Sequence, residues 1–173
     1  GKAVPQLIVM TDGHVPVKDQ EGEDAQARRA RASSAYERDL LDRVIPLVEG
    51  EYRVKTDRES RAIVGLSMGG GQSLGAGLRN IDRFAWVGGF SSSTRGWEKG
   101  VPGLKADAAA LNASLRLLWI QIGKEDFLLE QNRSFVAWLK EAGIKHHYLE
   151  TEGAHSWSVW RRYLPEFLPL LFR

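Results

Sequence analysis

The sequence has 173 residues, a length that suits one domain. Apolar residues make up 43% of the chain and charged residues 27%, which is the balance of an ordinary globular protein. This composition excludes a disordered tail, a collagen-like fibre and a membrane bundle. No apolar run approaches the roughly 18 residues that a membrane-spanning helix needs, so no membrane partner is expected.

The charge balance gives little sign of a nucleic-acid partner. The 24 basic and 22 acidic residues leave a net charge of only +2, so no basic face is indicated and no nucleic acid is expected. The chain has no cysteine, which excludes a disulfide framework, a thiolate nucleophile and a thiolate metal site. Because this absence suits secreted and cytoplasmic proteins equally, the compartment stays open.

The first predicted element is a short apolar run at residues 7–10, Leu-Ile-Val-Met, which is followed by a turn at residues 11–14. A run of this kind before a glycine turn is typical of a buried strand in a parallel sheet. Residues 15–31 are then rich in charged side chains, which predicts a solvated loop.

A helix is predicted next, over residues 33–48. Apolar side chains recur there at helical spacing, and Ser34 and Glu37 fit a capping box at its start. Pro46 lies near the end of this pattern and predicts a kink or an early end, because proline has no N–H to donate.

The rest of the sequence alternates between strand and helix patterns. Strands are predicted at residues 61–64, 84–90, 115–122 and 146–150, and helices at residues 68–78, 130–142 and 156–172. Gly143 is expected to end the second of these helices. With residues 7–10, the pattern predicts a single α/β domain over residues 1–173, with about five mostly parallel strands and helices on both faces.

The strongest motif is Gly-Leu-Ser-Met-Gly at residues 65–69, between a predicted strand and a predicted helix. A sharp strand-to-helix turn would lift the Ser67 hydroxyl clear of the sheet, and glycines are expected at both flanking positions because side chains have no room there. The backbone N–H of Met68 would then point toward a developing oxyanion. The motif therefore predicts a nucleophilic serine.

A serine hydroxyl needs a base, and three histidines follow Ser67 in the sequence. His146 and His147 are neighbours inside a predicted strand, where neither reaches the strand tips easily. His155 lies in a loop of small residues between the last strand and the last helix. A mobile imidazole is expected in such a loop, so His155 is the predicted base.

The base in turn needs an acid that orients it, and the predicted fourth strand ends next to two carboxylates. Asp126 fits this role from the carboxyl edge of the sheet. Glu125 is the alternative, because glutamate also serves in such triads. Asp12 and Asp107 are weaker candidates, since one precedes the motif and the other lies in an expected surface segment.

These segments together resemble a known family. Residues 61–70, 84–93, 122–126 and 153–157 are similar to the esterase branch of the α/β hydrolases. That branch includes the feruloyl and acetyl-xylan esterases of carbohydrate esterase family 1, S-formylglutathione hydrolase and the mycolyltransferases. The resemblance implies that Ser67 is the nucleophile, Asp126 the acid, His155 the base and the Met68 amide one oxyanion donor.

The sequence also departs from this family, because the first strands of the family fold have no counterpart here. The resemblance therefore implies a truncated α/β hydrolase in which residues 7–10 shift sideways and pair with residues 61–64. The turn after residues 7–10 would then supply Gly13 as a second oxyanion donor and His14 as a substrate-binding residue. A sheet edge left exposed predicts a homo-oligomer.

The expected activity is hydrolysis of a small-molecule carboxylic ester through an acyl-enzyme, without a metal or cofactor. The expected substrates are small, short-chain esters such as acetyl esters, and aryl esters such as feruloyl esters. Trp157 is the predicted substrate-binding aromatic, with Trp160 and Trp97 as further ring-stacking candidates. Two alternatives stay open at this point: acyl transfer to a sugar hydroxyl, and a catalytically silent binding module.

Overall fold

The computed structural model describes residues 3–173, apart from the side chain of Gln26. The chain forms two compact units. The smaller unit is Gln6–Thr56, and the larger contains Asp57–Arg173 with the described residues at the start of the chain. The single domain predicted for residues 1–173 stays a prediction.

The smaller unit is built on a long helical segment. Helix α1 (Ala25–Asp39) continues through a π-helical turn (Leu40–Val44) into helix α2 (Ile45–Glu51). The π turn ends at Val44, two residues before Pro46, which lies in the first turn of α2. Proline has no N–H to donate, so the regular helical ladder is interrupted before it, and the N–H of Ile45 donates to the carbonyl oxygen of Leu40 five residues earlier.

Helix α1 begins earlier than the sequence predicts. The side chain of Asp24 caps it by accepting a hydrogen bond of 2.7 Å from the backbone N–H of Ala27. The capping box predicted at Ser34 and Glu37 is therefore wrong, and the Ser34 hydroxyl instead donates to the carbonyl of Ala30 inside the helix. The first turns of α1 are rich in arginine, and this polarity hid them within a predicted loop.

The larger unit contains a parallel sheet of four strands in chain order. Its strands are β1 (Ala62–Leu66), β2 (Trp86–Phe90), β3 (Leu117–Gly123) and β4 (His147–Thr151). All three pairings are parallel, so the carboxyl ends of the strands meet at one edge. The α/β fold and four of the predicted strands are confirmed.

Four helices follow the strands of the larger unit along the chain. They are α3 (Ser67–Arg79), α4 (Ala108–Ser114), α5 (Leu129–Glu141) and α6 (Trp157–Phe167), the last continuing into a short 3₁₀ turn (Leu168–Leu170). Helix α4 was not predicted. Gly143 follows α5 with φ of 71°, a left-handed conformation that glycine adopts without strain, so its predicted role in ending this helix is confirmed. Among residues 3–173, no helix combines the length and apolarity needed to cross a membrane.

The side chains of β2 show that helices cover both faces of the sheet. Phe90 packs edge-on against Phe167 of α6, with ring centroids 5.6 Å apart. Val87 points to the opposite face, toward α3, where a Cβ atom added at Gly77 would lie 2.6 Å from its Cγ2. This alternation follows from the two-residue period of a strand and confirms the two helical layers.

The strand predicted at residues 7–10 is wrong. This segment forms no strand in the structure, and its side chains are exposed, with Met10 93% accessible. An apolar run becomes a strand only where a neighbour pairs with its backbone, and the four strands of the sheet all lie between Ala62 and Thr151. The expected pairing of residues 7–10 with residues 61–64 is therefore absent. The homo-oligomer predicted through an exposed sheet edge stays a prediction.

An ion pair between α5 and β4 predicts how the stability of the larger unit depends on pH. Arg133 donates two hydrogen bonds, of 2.8 and 2.9 Å, to the carboxylate of Glu150, and the Tyr148 hydroxyl adds one of 2.7 Å. The Arg133 bonds, followed by the Tyr148 bond, lower the pKa of Glu150 from 4.5 to about 2. Because the folded-state pKa is depressed, this stabilisation is present above pH 4.5 and is lost as the pH falls toward 2.

Glu150→Gln is therefore expected to lower the free energy of unfolding by about 1 kcal/mol at pH 7, a modest effect because the pair is partly exposed. Urea denaturation at pH 7 and at pH 3 measures this difference, which should shrink at the lower pH. Glu166→Gln is the control, because Glu166 is exposed on α6. A Glu150→Gln effect of equal size at both pH values contradicts the prediction.

Candidate active site

The Gly-Leu-Ser-Met-Gly motif forms the predicted sharp turn between β1 and α3. Ser67 is the first residue of α3 and has φ of 55°, a left-handed conformation that is strained for a residue with a side chain. A Cβ atom added at Gly65 would lie 2.2 Å from the carbonyl oxygen of Gly69, so only glycine fits there. At Gly69 an added Cβ meets nothing within 4 Å, so the expectation that this position also lacks room is wrong.

The two glycines of the motif therefore predict opposite stability effects. Gly65→Ala should cost about 3 kcal/mol or more, because backbone atoms of α3 must move to admit the methyl group. Gly69→Ala is the matched control and should stabilise by about 0.5–1 kcal/mol, since alanine is favoured over glycine inside a helix. Chemical denaturation of both variants measures the difference. Equal effects at the two positions contradict this account of the turn.

The loop after β2 contacts the turn that carries Ser67. The backbone N–H of Ser93 donates to the carbonyl oxygen of Ser67 at 2.9 Å. Ser91 is held in a left-handed conformation with φ of 46°, and its hydroxyl accepts a 2.8 Å hydrogen bond from the buried indole of Trp160. These contacts connect the turn that carries Ser67 to helix α6.

His155 lies in the loop between β4 and α6, as predicted, and its imidazole reaches Ser67. Its Nε2 atom is 3.0 Å from the Ser67 hydroxyl oxygen. The loop that carries His155 packs against the loop after β3. The backbone N–H of Glu125 donates a hydrogen bond of 3.2 Å to the carbonyl oxygen of Gly153. Gly123 is required at this contact, since an added Cβ would lie 1.9 Å from the Gly153 oxygen.

Asp126 contacts the other nitrogen of the imidazole. Its Oδ2 atom lies 2.8 Å from His155 Nδ1, and its side chain is fully buried. The Oδ1 atom accepts a 2.9 Å hydrogen bond from the backbone N–H of Leu128, so both carboxylate oxygens have partners. Glu125 is exposed, and among the described residues the acidic group at His155 is that of Asp126.

This geometry fixes how protons are arranged in the site. A carboxylate only accepts hydrogen bonds, so the Nδ1–H of His155 donates to Asp126. In the neutral imidazole the lone pair of Nε2 then faces the Ser67 hydroxyl and can accept its proton. Ser67, His155 and Asp126 are thus brought together as the sequence predicts, and their catalytic roles stay a prediction.

The oxyanion role of the Met68 N–H stays a prediction, whereas the structural basis for predicting Gly13 as a second donor is absent. Met68 is the second residue of α3, where a backbone N–H has no acceptor within the helix. Gly13 and His14 belong to the smaller unit, and His14 donates its backbone N–H to Asp12 at 2.9 Å. Their expected oxyanion and substrate-binding roles depended on the strand at residues 7–10, which does not form.

Three tryptophans were ring-stacking candidates, and only one of them has an exposed ring. Trp97 is buried and packs edge-on against Phe135, and Trp160 is buried with its indole N–H bonded to Ser91. Trp157 is 65% exposed and packs edge-on against Trp160. Its predicted substrate-binding role stays a prediction.

Sequence reasoning missed one aromatic residue of the site, Phe127. Its ring lies against the ring of His155, with centroids 4.6 Å apart, although its side chain is 76% exposed. The available signal was its position directly after Asp126, the predicted acid.

The other two histidines that follow Ser67 in the sequence lie at the opposite end of the sheet, where β4 begins. His147 stacks on Trp119 with ring centroids 4.4 Å apart, and His146 Nδ1 is 2.8 Å from the carbonyl oxygen of Ile144. Within residues 3–173, no group of three or more histidine, aspartate or glutamate side chains could hold a metal ion.

Comparison with protein families identifies the family of this chain. A family model described as "Putative esterase" matches residues 3–171. The chain belongs to this esterase family. The match extends over both compact units, so the resemblance inferred from four segments holds along the chain.

Two curated relatives of this esterase chain carry ester-hydrolase names. An endo-1,4-β-xylanase/feruloyl esterase of Xylanibacter ruminicola is 32% identical, over 80% of this chain and 18% of that protein. An acetyl esterase of Caldicellulosiruptor saccharolyticus is 26% identical, over 70% of this chain and 58% of that protein. The esterase chain thus spans less than two thirds of the length of either relative.

Solved structures of similar fold include two ferulic acid esterases. One is 31% identical, with a TM-score of 0.67, over 78% of this chain and 58% of the other. The second, from Anaeromyces mucronatus and in complex with ferulic acid, has a TM-score of 0.77 at 20% identity, over 99% of this chain and 66% of the other. At that identity the second likeness shows the fold alone.

Proposed function

We propose that this chain is a serine carboxylic-ester hydrolase in which Ser67 is the nucleophile, His155 the general base and Asp126 the orienting acid. The observation that carries the proposal is the pair of contacts made by His155, 3.0 Å to the Ser67 hydroxyl and 2.8 Å to the Asp126 carboxylate. A hydroxyl, an imidazole and a buried carboxylate in this order are what activation of a serine requires.

The first half of the proposed reaction forms an acyl-enzyme. The Ser67 hydroxyl oxygen attacks the ester carbonyl carbon while His155 Nε2 takes its proton. The negative charge that develops on the carbonyl oxygen accepts a hydrogen bond from the Met68 N–H, and the amino end of α3 adds favourable potential. The ester C–O bond then breaks, and the imidazolium of His155 protonates the departing alcohol.

The second half releases the acid. Water attacks the acyl carbon after giving a proton to His155, and the bond to Ser67 breaks as its oxygen takes that proton back. Asp126 stabilises the positive charge on His155 in both halves. Its burial strengthens this interaction because water screens it less. Every step uses groups of this chain and the substrates alone.

Feruloyl and acetyl esters are the proposed substrates. The support comes from the names of the relatives, a feruloyl esterase and an acetyl esterase, together with membership of the esterase family.

Product analysis tests the proposed function. Purified protein is incubated with methyl ferulate and with p-nitrophenyl acetate, and the free acid and alcohol are quantified, with and without a sugar as acyl acceptor. Hydrolysis predicts free acid in equal amount to free alcohol under both conditions. A sugar ester as the main product would instead indicate acyl transfer, and absence of any turnover by folded protein would favour a binding module.

A further inference from the structure

Two exposed aromatic side chains lie at the histidine side of the site. Phe127 is 76% exposed with its ring against His155, and Trp157 is 65% exposed on the first turn of α6. Trp160 connects them, because it packs edge-on against both His155 and Trp157, at centroid distances of 5.0 and 5.4 Å. Both rings therefore leave apolar surface accessible beside the site, where a ligand can pack against it.

The chemistry of the site decides which part of an ester these rings can contact. His155 Nε2 must protonate the departing alcohol oxygen, so that oxygen lies within hydrogen-bond distance of the imidazole during the reaction. The alcohol portion of the ester therefore extends past His155. The acyl portion extends from the carbonyl carbon that Ser67 attacks. In the proposed mechanism the oxygen of that carbonyl group accepts the hydrogen bond from the Met68 N–H.

We infer that Phe127 and Trp157 bind the alcohol portion of the ester and favour alcohols that present a flat, apolar ring face. This inference rests on the proposed function of Ser67, His155 and Asp126. The aromatic faces can pack against a planar or cyclic group with offset or edge-on geometry, whereas a methyl or ethyl group covers little of them. Phe127 is thus a specificity-determining residue rather than part of the proton-transfer chain.

Three simple esters test whether the two aromatic side chains contact the alcohol portion or the acyl portion of the substrate. Benzyl acetate carries a ring on the alcohol, its isomer methyl phenylacetate carries the same ring on the acyl group, and ethyl acetate carries none. Phe127→Ala is expected to lower kcat/KM for benzyl acetate about fivefold more than for the other two esters, in line with the strength of an aromatic contact. Trp157→Ala should act in the same direction, and Phe127→Leu should lie between Phe127→Ala and the wild type.

Leu164→Ala is the control, because Leu164 is a partly exposed apolar residue elsewhere on α6 and should leave all three rates unchanged. Phe127 is exposed, so its replacement removes no buried core contact. Equal losses on the three esters, or the largest loss on methyl phenylacetate, would overturn the inference alone. Absence of hydrolysis of any ester by the wild-type protein would overturn the proposed function together with it.

Discussion

Ser67→Ala is expected to lower kcat/KM for ester hydrolysis by about 10⁴-fold or more. The variant keeps the turn and the Met68 N–H but has no oxygen to attack the carbonyl carbon, so only the contributions of binding and oxyanion stabilisation remain. Steady-state kinetics with p-nitrophenyl acetate measure the loss. His155→Ala should be nearly as severe, because the hydroxyl then has no base at 3.0 Å.

A neighbouring serine provides the matched control for this loss. Ser158 lies on the first turn of α6, and its hydroxyl is 2.8 Å from that of Ser156. Ser158→Ala should therefore leave hydrolysis within about twofold of the wild type, as surface substitutions away from the chemistry usually do. Activity of Ser67→Ala or His155→Ala within about tenfold of the wild type would exclude this mechanism.

Asp126→Asn is expected to reduce kcat by about 10⁴-fold. The carboxamide can present an N–H to His155 Nδ1, which favours the tautomer that carries its proton on Nε2. That nitrogen can then no longer take the proton of Ser67. The imidazolium also loses the buried negative charge that stabilises it, so both halves of the reaction slow down.

Glu125→Gln is the control at the adjacent residue. It distinguishes between Asp126 and Glu125, the two candidates that the sequence offers for the orienting acid. Glu125 is exposed, whereas the carboxylate of Asp126 is buried at 2.8 Å from His155. Glu125→Gln should therefore change kcat by less than about threefold. A severe loss in Glu125→Gln together with a mild one in Asp126→Asn would assign the orienting acid to Glu125.

The sheet and the three side chains of the site could be predicted because each has a local signature. Residues 65–69 require a strand before them and a helix after them, and β1 and α3 form there. His155 and Asp126 each follow a predicted strand of a parallel sheet, and the carboxyl ends of such strands meet at one edge. The strand pattern alone therefore predicts that both loops lie beside Ser67.

The errors concern features that local sequence patterns do not decide. Residues 7–10 have the composition of a strand, but whether they form one depends on a pairing partner elsewhere in the fold. The start of α1 was missed because its cap is a single side chain, Asp24, within a charged segment. The contact of Phe127 with His155 joins residues 28 positions apart, and no periodic pattern records it.

Covalent labelling with a fluorophosphonate tests the central claim most directly, because this reagent reacts only with an activated serine. Digestion and mass spectrometry would locate the adduct. The account predicts one phosphonylated residue, Ser67, with no adduct in Ser67→Ala and much slower labelling in His155→Ala. An adduct on another serine, undiminished labelling of Ser67→Ala, or folded wild-type protein that does not react would contradict it.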